Sequence, residues 1–136
     1  MERFPRKCKL EFEIIEKPNF PITSKALSET EGRLLVSVGK DIVFDEEDIL
    51  LAEFYLALTV WVSQGCLNNF KYDSMDYEDS PIFEVKVEDT FVHITSVWMD
   101  DNVSAPVKIE KQQFLDAVNS FIHQFEIELP EIKEIS

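Results

Sequence analysis

Residues 41–65 read D-I-V-F-D-E-E-D-I-L-L-A-E-F-Y-L-A-L-T-V-W-V-S-Q-G, and the reading of this stretch decides the fold. Asp41–Phe44 is apolar and β-branched and predicts a short strand. Asp45, Glu46, Glu47 and Asp48 then stand directly before an apolar run. A helix N-terminus favours negative charge there, and Asp45 can cap. The spacing predicts a helix from about Glu46 to Gln64, stopped by Gly65. Leu50, Leu51, Phe54, Tyr55, Leu58, Trp61 and Val62 cover most of its circumference, leaving Glu53 and Gln64, with Ala57, as a narrow polar strip. A helix apolar nearly all round is buried on more than one side. This one is expected at the centre, with Trp61 between a sheet and a second helix.

The flanks supply the other layers. Before the helix, Leu10, Phe12 and Ile14 alternate with Glu11 and Glu13, the period of a half-buried strand. Pro18, Asn19 and Pro21 break regularity, and Arg33–Val38 predicts a second strand. Gly39-Lys40 fits a two-residue hairpin turn with Gly in the first central place, joining Arg33–Val38 to Asp41–Phe44. After the helix, Asn68–Ser80 reads as a loop closed by Pro81. Ile82–Glu88 and Phe91–Met99 then read as strands about an Asp89-Thr90 turn, and Ala105–Ile109 as a short extended piece. Phe114, Leu115, Val118, Phe121, Ile122 and Phe125 mark one face of an amphipathic helix from about Glu110 to Phe125. The order predicts an α+β fold: an antiparallel sheet of about five strands, with the central hydrophobic helix and the C-terminal amphipathic helix packed on one face. One domain is expected over 1–136, with 1–8 and 127–136 frayed.

Composition narrows function more by exclusion than by motif. The chain has 136 residues with 13 Lys and Arg against 27 Asp and Glu, a net charge of −14. Direct nucleic-acid binding is not expected, because phosphate contacts need clustered Lys and Arg. Gly32, Gly39 and Gly65 are too few and too far apart for a phosphate loop. The N-terminus has positive charge but no apolar run behind it, and the longest apolar stretch, Ile49–Val62, is interrupted by Glu53 and too short to span a bilayer. A soluble, cytoplasmic protein is expected, with no membrane contact and with Cys8 and Cys66 reduced and buried. His93 and His123 lie outside any metal-ligand spacing, and a calcium loop starting at Asp73 fails because Met75 and Tyr77 stand where oxygen ligands are needed. No cofactor, metal or catalytic set is expected, and the protein is read as not an enzyme.

The distribution of charge is more specific. Residues 1–40 hold 8 bases and 6 acids, whereas Asp41 to Asp101 hold 15 acids and only Lys71 and Lys86 as bases. Such a face steers a basic protein partner and rejects wrong ones. Tyr72 and Tyr77 stand among the acids of one loop, and aromatic anchors beside complementary charge suit a binding hot spot. The expected partner surface is therefore Tyr72, Asp73, Asp76, Tyr77, Glu78 and Asp79 together with Trp98, Asp100 and Asp101. The helix entrance Asp45–Asp48 is the next candidate.

Asp41–Leu58 and F-L-D-A-V-N-S-F-I at Phe114–Ile122 give the chain the style of a known group. In both, an edge strand enters an acidic-capped hydrophobic helix, and a terminal amphipathic helix follows. In this the chain resembles immunity proteins of bacterial polymorphic toxin and contact-dependent inhibition systems. The resemblance implies a non-catalytic inhibitor that binds the C-terminal domain of a cognate toxin, often a basic nuclease. No diagnostic motif is matched, so no functional residue is carried over. The alternatives are a nucleic-acid-mimic inhibitor or acidic regulator of a DNA- or RNA-acting enzyme, and a small-ligand pocket among the aromatics. Clustering of the acids in a loop disfavours the mimic, and core packing accounts more simply for the eleven Phe.

Overall fold

The computed structural model describes residues 7–16, 30–72, 83–96, 107–130 and 132. Strands β1 (Cys8–Glu16), β2 (Glu31–Val38) and β3 (Asp41–Leu50) precede helix α1 (Leu51–Ser63). Strands β4 (Phe70–Tyr72), β5 (Phe83–Glu88), β6 (Phe91–Thr95) and β7 (Val107–Glu110) lead into helix α2 (Lys111–Glu128). The fold is α+β as the sequence predicts, but its strands form two antiparallel sheets, β1-β2-β3 and β4-β5-β6-β7, rather than one of about five. Each sheet is a meander in which chain neighbours pair.

The largest departure is at the acidic run. Asp45–Asp48 continues β3, and the helix starts only at Leu51. The register explains why a strand is hidden there. Val36 lies opposite Phe44 but Ser37 opposite Ile42, so Val43 is an extra residue, and Val43 and Phe44 are both buried. A second bulge between Gly32 and Leu34 sets two residues of β3, Glu47 and Asp48, against one of β2, Arg33. Two bulges destroy the two-residue alternation by which a strand is recognised. The helix has no side-chain cap at Leu50; the Leu51 N–H donates instead to the Thr30 carbonyl at 2.9 Å. A backbone acceptor brought in by β2 satisfies the orphan donor that a capping Asp would have taken.

The helix end agrees with the sequence. The Gly65 N–H donates to the Val62 carbonyl at 3.0 Å and the Cys66 N–H to the Trp61 carbonyl at 3.2 Å, closing the helix in a Schellman motif with Gly65 at φ +88°. Gly39 has φ +61°, the conformation the β2–β3 turn requires. Gly32 is needed for space instead: a Cβ there would stand 2.0 Å from the Glu13 carbonyl oxygen and 2.7 Å from Leu51 Cδ1.

One aromatic core joins both sheets and both helices. Phe54 of α1 meets Tyr72 (5.2 Å between ring centroids), Phe121 (5.5 Å), Phe70 and Phe83 (both 6.0 Å), all edge-on. Trp61 is buried between Phe70 of β4 and Phe114 of α2, each 5.8 Å away, and its Nε1 donates to the Asn68 carbonyl at 2.7 Å. The central position predicted for this helix and for Trp61 is therefore observed. The helix α2 runs three residues past Phe125, and Leu129 and Ile132 are buried beyond it. This part of the tail is anchored rather than frayed, as is Cys8 at the start of β1. Strand β4 lies in what reads as loop; only the F-K-Y alternation at 70–72 signals it.

Candidate protein-binding surface

Both helices contact both sheets on their inner sides. Side chains pointing the other way form the outer faces, and the two faces differ in charge. On the four-stranded sheet, the register sets Lys71 beside Glu84 and Thr95, Lys86 beside His93 and Lys108, and Glu88 beside Phe91 and Glu110. Lysines and glutamates balance. His93 Nε2 lies 3.3 Å from Glu88 Oε1, and Lys108 Nζ sits 4.4 Å from the centre of the Phe91 ring.

The three-stranded sheet is different. Its outer face carries Lys9, Glu11, Glu13 and Ile15 from β1, Glu31, Arg33, Leu35 and Ser37 from β2, and Ile42, Asp45 and Glu47 from β3. Five carboxylates face two cations. One cation is held: Arg33 donates from Nε to Asp45 Oδ1 at 2.7 Å and from Nη2 to Asp45 Oδ2 at 2.8 Å. These bonds keep Asp45 below the usual carboxylate range. Glu47 and Glu13 also act on the Arg33 charge, which holds its proton more tightly than usual. Between the rows lies a hollow of 110 Å³ lined by Glu11, Phe12, Glu13, Arg33 and Leu35. Ile15 and Ile42 expose 57% and 51% of their surface, so the acids are interleaved with apolar contact area. Glu46 stands apart. It faces inward opposite Leu34, and burial, then the charges of Asp45 and Asp48, push its carboxyl up.

Of the expected partner residues, Tyr72 is a correction. It is 1% exposed, and the alternation of β4 turns its ring onto Phe54, so it belongs to the core and cannot anchor a partner. Asp73, Asp76, Tyr77, Glu78, Asp79, Trp98, Asp100 and Asp101 lie outside the described residues. The strand ends that bound 73–82 and 97–106 do lie at one end of the four-stranded sheet, since Tyr72 pairs with Phe83 and Glu84 with Thr95. Asp45 and Glu47, from the second candidate, reach the outer face, but on a strand rather than at a helix entrance. Glu11 and Glu13 fall outside the expected partner surface because the segment that holds them has a positive summed charge. The alternation in K-L-E-F-E-I-I-E already placed them on one strand face.

Little chemistry beyond binding is arranged among the described residues. No group of three or more His, Cys, Asp and Glu side chains is set to hold a metal ion there. Cys8 and Cys66 are free and buried, and burial pushes the Cys8 thiol up to about 12, the opposite of an activated nucleophile. No described helix is long and apolar enough to cross a membrane.

A family model described as a domain of unknown function, DUF7878, matches residues 10–131. The chain belongs to the DUF7878 family. No curated protein and no solved structure matches it. The DUF7878 span takes in both helices and every strand except the first two residues of β1. The acidic outer face is thus part of the DUF7878 domain itself.

Proposed function

We propose that the chain is a non-catalytic acidic binding protein that neutralises a cognate toxin domain, a basic one, by direct protein–protein contact in the cytoplasm. The observation that carries this reading is the outer face of β1-β2-β3. There Glu11, Glu13, Asp45 and Glu47 outnumber Lys9 and Arg33 around exposed Ile15 and Ile42. A rigid sheet holds these carboxylates at fixed spacings, which suits a surface of clustered Lys and Arg. Apolar area between the charges supplies contact energy once steering has brought the partners together. The likeness in style to immunity proteins supports the toxin as the class of partner.

The test is kinetic. The reading frame directly upstream is inspected for a large toxin-like protein, and the chain is mixed with the C-terminal domain of such a candidate while association is followed from low to high salt. A one-to-one complex is expected, with inhibition of the domain and an association rate that falls as salt rises. A tight complex whose association ignores salt would remove the electrostatic part of the proposal. Absence of any complex or inhibition would remove the rest.

A further inference from the structure

Strand β1 pairs with β2 on one side, and among the described strands it has no neighbour on the other. The Gly39 N–H donates to the Lys7 carbonyl at 2.8 Å, so Lys7, Lys9, Glu11 and Glu13 direct their backbone groups toward β2. Those of Cys8, Leu10, Phe12 and Ile14 point the opposite way, to the outer edge. That edge is open. Residues 7–11 line a hollow of 310 Å³ with Asp116 and Ala117 of α2 across from them. Consecutive strand residues point to opposite faces, so a hollow lined by all of them runs along the edge. Phe12 and Ile14 are half-buried although they face inward, whereas Leu34, Val36 and Val38, facing inward from β2, are wholly buried.

An unpaired strand edge is a template for another strand. The charges along it set what it accepts. Lys7, just before β1, and Lys9, Glu11 and Glu13 within it are all exposed on the outer side, two cations followed by two carboxylates. We propose that β1 pairs antiparallel with β1 of a second copy about a twofold axis at Leu10, joining the two three-stranded sheets into one. In that register Lys9 stands opposite the other copy's Glu11 and Lys7 opposite its Glu13, and the twofold repeats both pairs. Leu10 meets Leu10 and Cys8 meets Phe12, residues whose N–H and C=O groups already face across the joint. Sliding the second copy one step either way sets Glu11 against Glu11 or Lys9 against Lys9, which charge rejects. The backbone ladder supplies the contact, and the alternate side chains fix its register. The other edges do not offer this. Strands β4 and β7 have three and four residues, and β3 carries Asp41, Asp45, Glu46, Glu47 and Asp48 with no base, so it repels its own copy.

The experiment is sedimentation velocity of the chain alone over a dilution series, so its failure leaves the toxin reading untouched. The parent is compared with two double variants, Lys7→Glu with Lys9→Glu, and Glu11→Lys with Glu13→Lys. All four positions are exposed, so both variants should keep the parental circular dichroism. The parent is expected to dimerise. Each variant gives the edge charges of one sign and should dimerise about tenfold or more weakly, because like charges then face each other across the joint. The second variant lowers the net negative charge of the chain, so general repulsion cannot account for its loss. Mixed in equal amounts, the two variants should associate with each other as the parent does with itself, since the carboxylates of one then face the lysines of the other. Both remain acidic overall, so general attraction cannot join them. A parent that stays monomeric at every concentration overturns the proposal. So do folded variants that dimerise like the parent, or a mixture that associates no better than either variant alone.

Discussion

Arg33 grips Asp45 through two parallel hydrogen bonds, 2.7 and 2.8 Å long, across the β2–β3 pair, and the next residue, Glu46, points the other way into the sheet. Adjacent carboxylates are therefore shifted in opposite directions. Asp45 is lowered by the Arg33 hydrogen bonds, and Glu46 is raised by burial and by the charges of Asp45 and Asp48.

Opposite shifts predict opposite stability effects. Asp45, with its folded pKa depressed, stabilises above its unfolded value, and that contribution is lost as pH falls through the folded one. Glu46, with its folded pKa raised, binds its proton better in the native state, so its ionisation lowers stability as pH rises. At neutral pH, Asp45→Asn should destabilise by roughly 0.2–1 kcal/mol, the range of exposed bridges. Glu46→Gln should stabilise. Thermal melts at neutral pH and below the carboxylate range check both, since the two differences from the parent should shrink once the carboxyls are protonated.

Gly32 is the tightest point in the fold. A methyl group there would meet the Glu13 carbonyl oxygen at 2.0 Å and Leu51 Cδ1 at 2.7 Å, so β1, β2 and the first turn of α1 could not all stay in place. Gly32→Ala should cost about 1–3 kcal/mol or more, as overpacking does. Urea unfolding measures it, and a variant as stable as its parent would contradict this packing.

How much of this was legible in the sequence depends on whether local pattern or tertiary contact decided each element. The α2 helix is legible because one apolar stripe meets the core, and the end of α1 because Gly65 supplies a positive φ. The start of α1 is not. Acids before an apolar run look like a capped helix, but the acceptor for the Leu51 N–H is Thr30, twenty-one residues away, and two bulges disguise β3. Separate sheets are also invisible locally, since each strand pairs only with its chain neighbours in either case. The surface was half legible. Alternation placed Glu11 and Glu13 on one face, but only the register brings them across β2 to Asp45. Tyr72 reads as a surface residue because a three-residue strand inside a polar stretch barely shows its alternation.

Trp61 and Tyr72 should behave as core residues. Trp61→Ala removes the contacts to Phe70 and Phe114 and should cost about 3–5 kcal/mol. Trp61→Phe keeps a ring but leaves the Asn68 carbonyl without its 2.7 Å donor, at a smaller cost of about 0.5–1.5 kcal/mol. Tyr72→Ala should also lose about 3–5 kcal/mol, and any weakening of partner binding should follow the unfolded fraction. Denaturant titration beside a binding assay separates the effects. A Tyr72→Ala chain that melts like the parent but binds poorly would return Tyr72 to the surface.

Charge reversal on the two sheets tests where a basic partner lands. Glu11→Lys, Glu13→Lys and Glu47→Lys lie on exposed outer positions of β1 and β3, so together they should leave the fold intact. They leave two carboxylates on that face, Glu31 and the Asp45 that Arg33 already holds. The association rate with the toxin domain should fall by about tenfold or more at low salt and by much less at high salt, with a smaller change in dissociation. Lys71→Glu with Lys86→Glu makes the balanced face of the four-stranded sheet acidic without touching the first surface. If the partner reads only β1-β2-β3, that variant should associate at the parental rate or slightly faster through its added negative charge. Asp76→Lys with Asp79→Lys probes residues 73–82, between β4 and β5 in sequence, in the same assay. Parental rates for the triple reversal, with slow association for the Asp76 and Asp79 variant, would move the contact from the sheet face to that segment. Parental rates for both would mean that the partner is not recognised by charge at all.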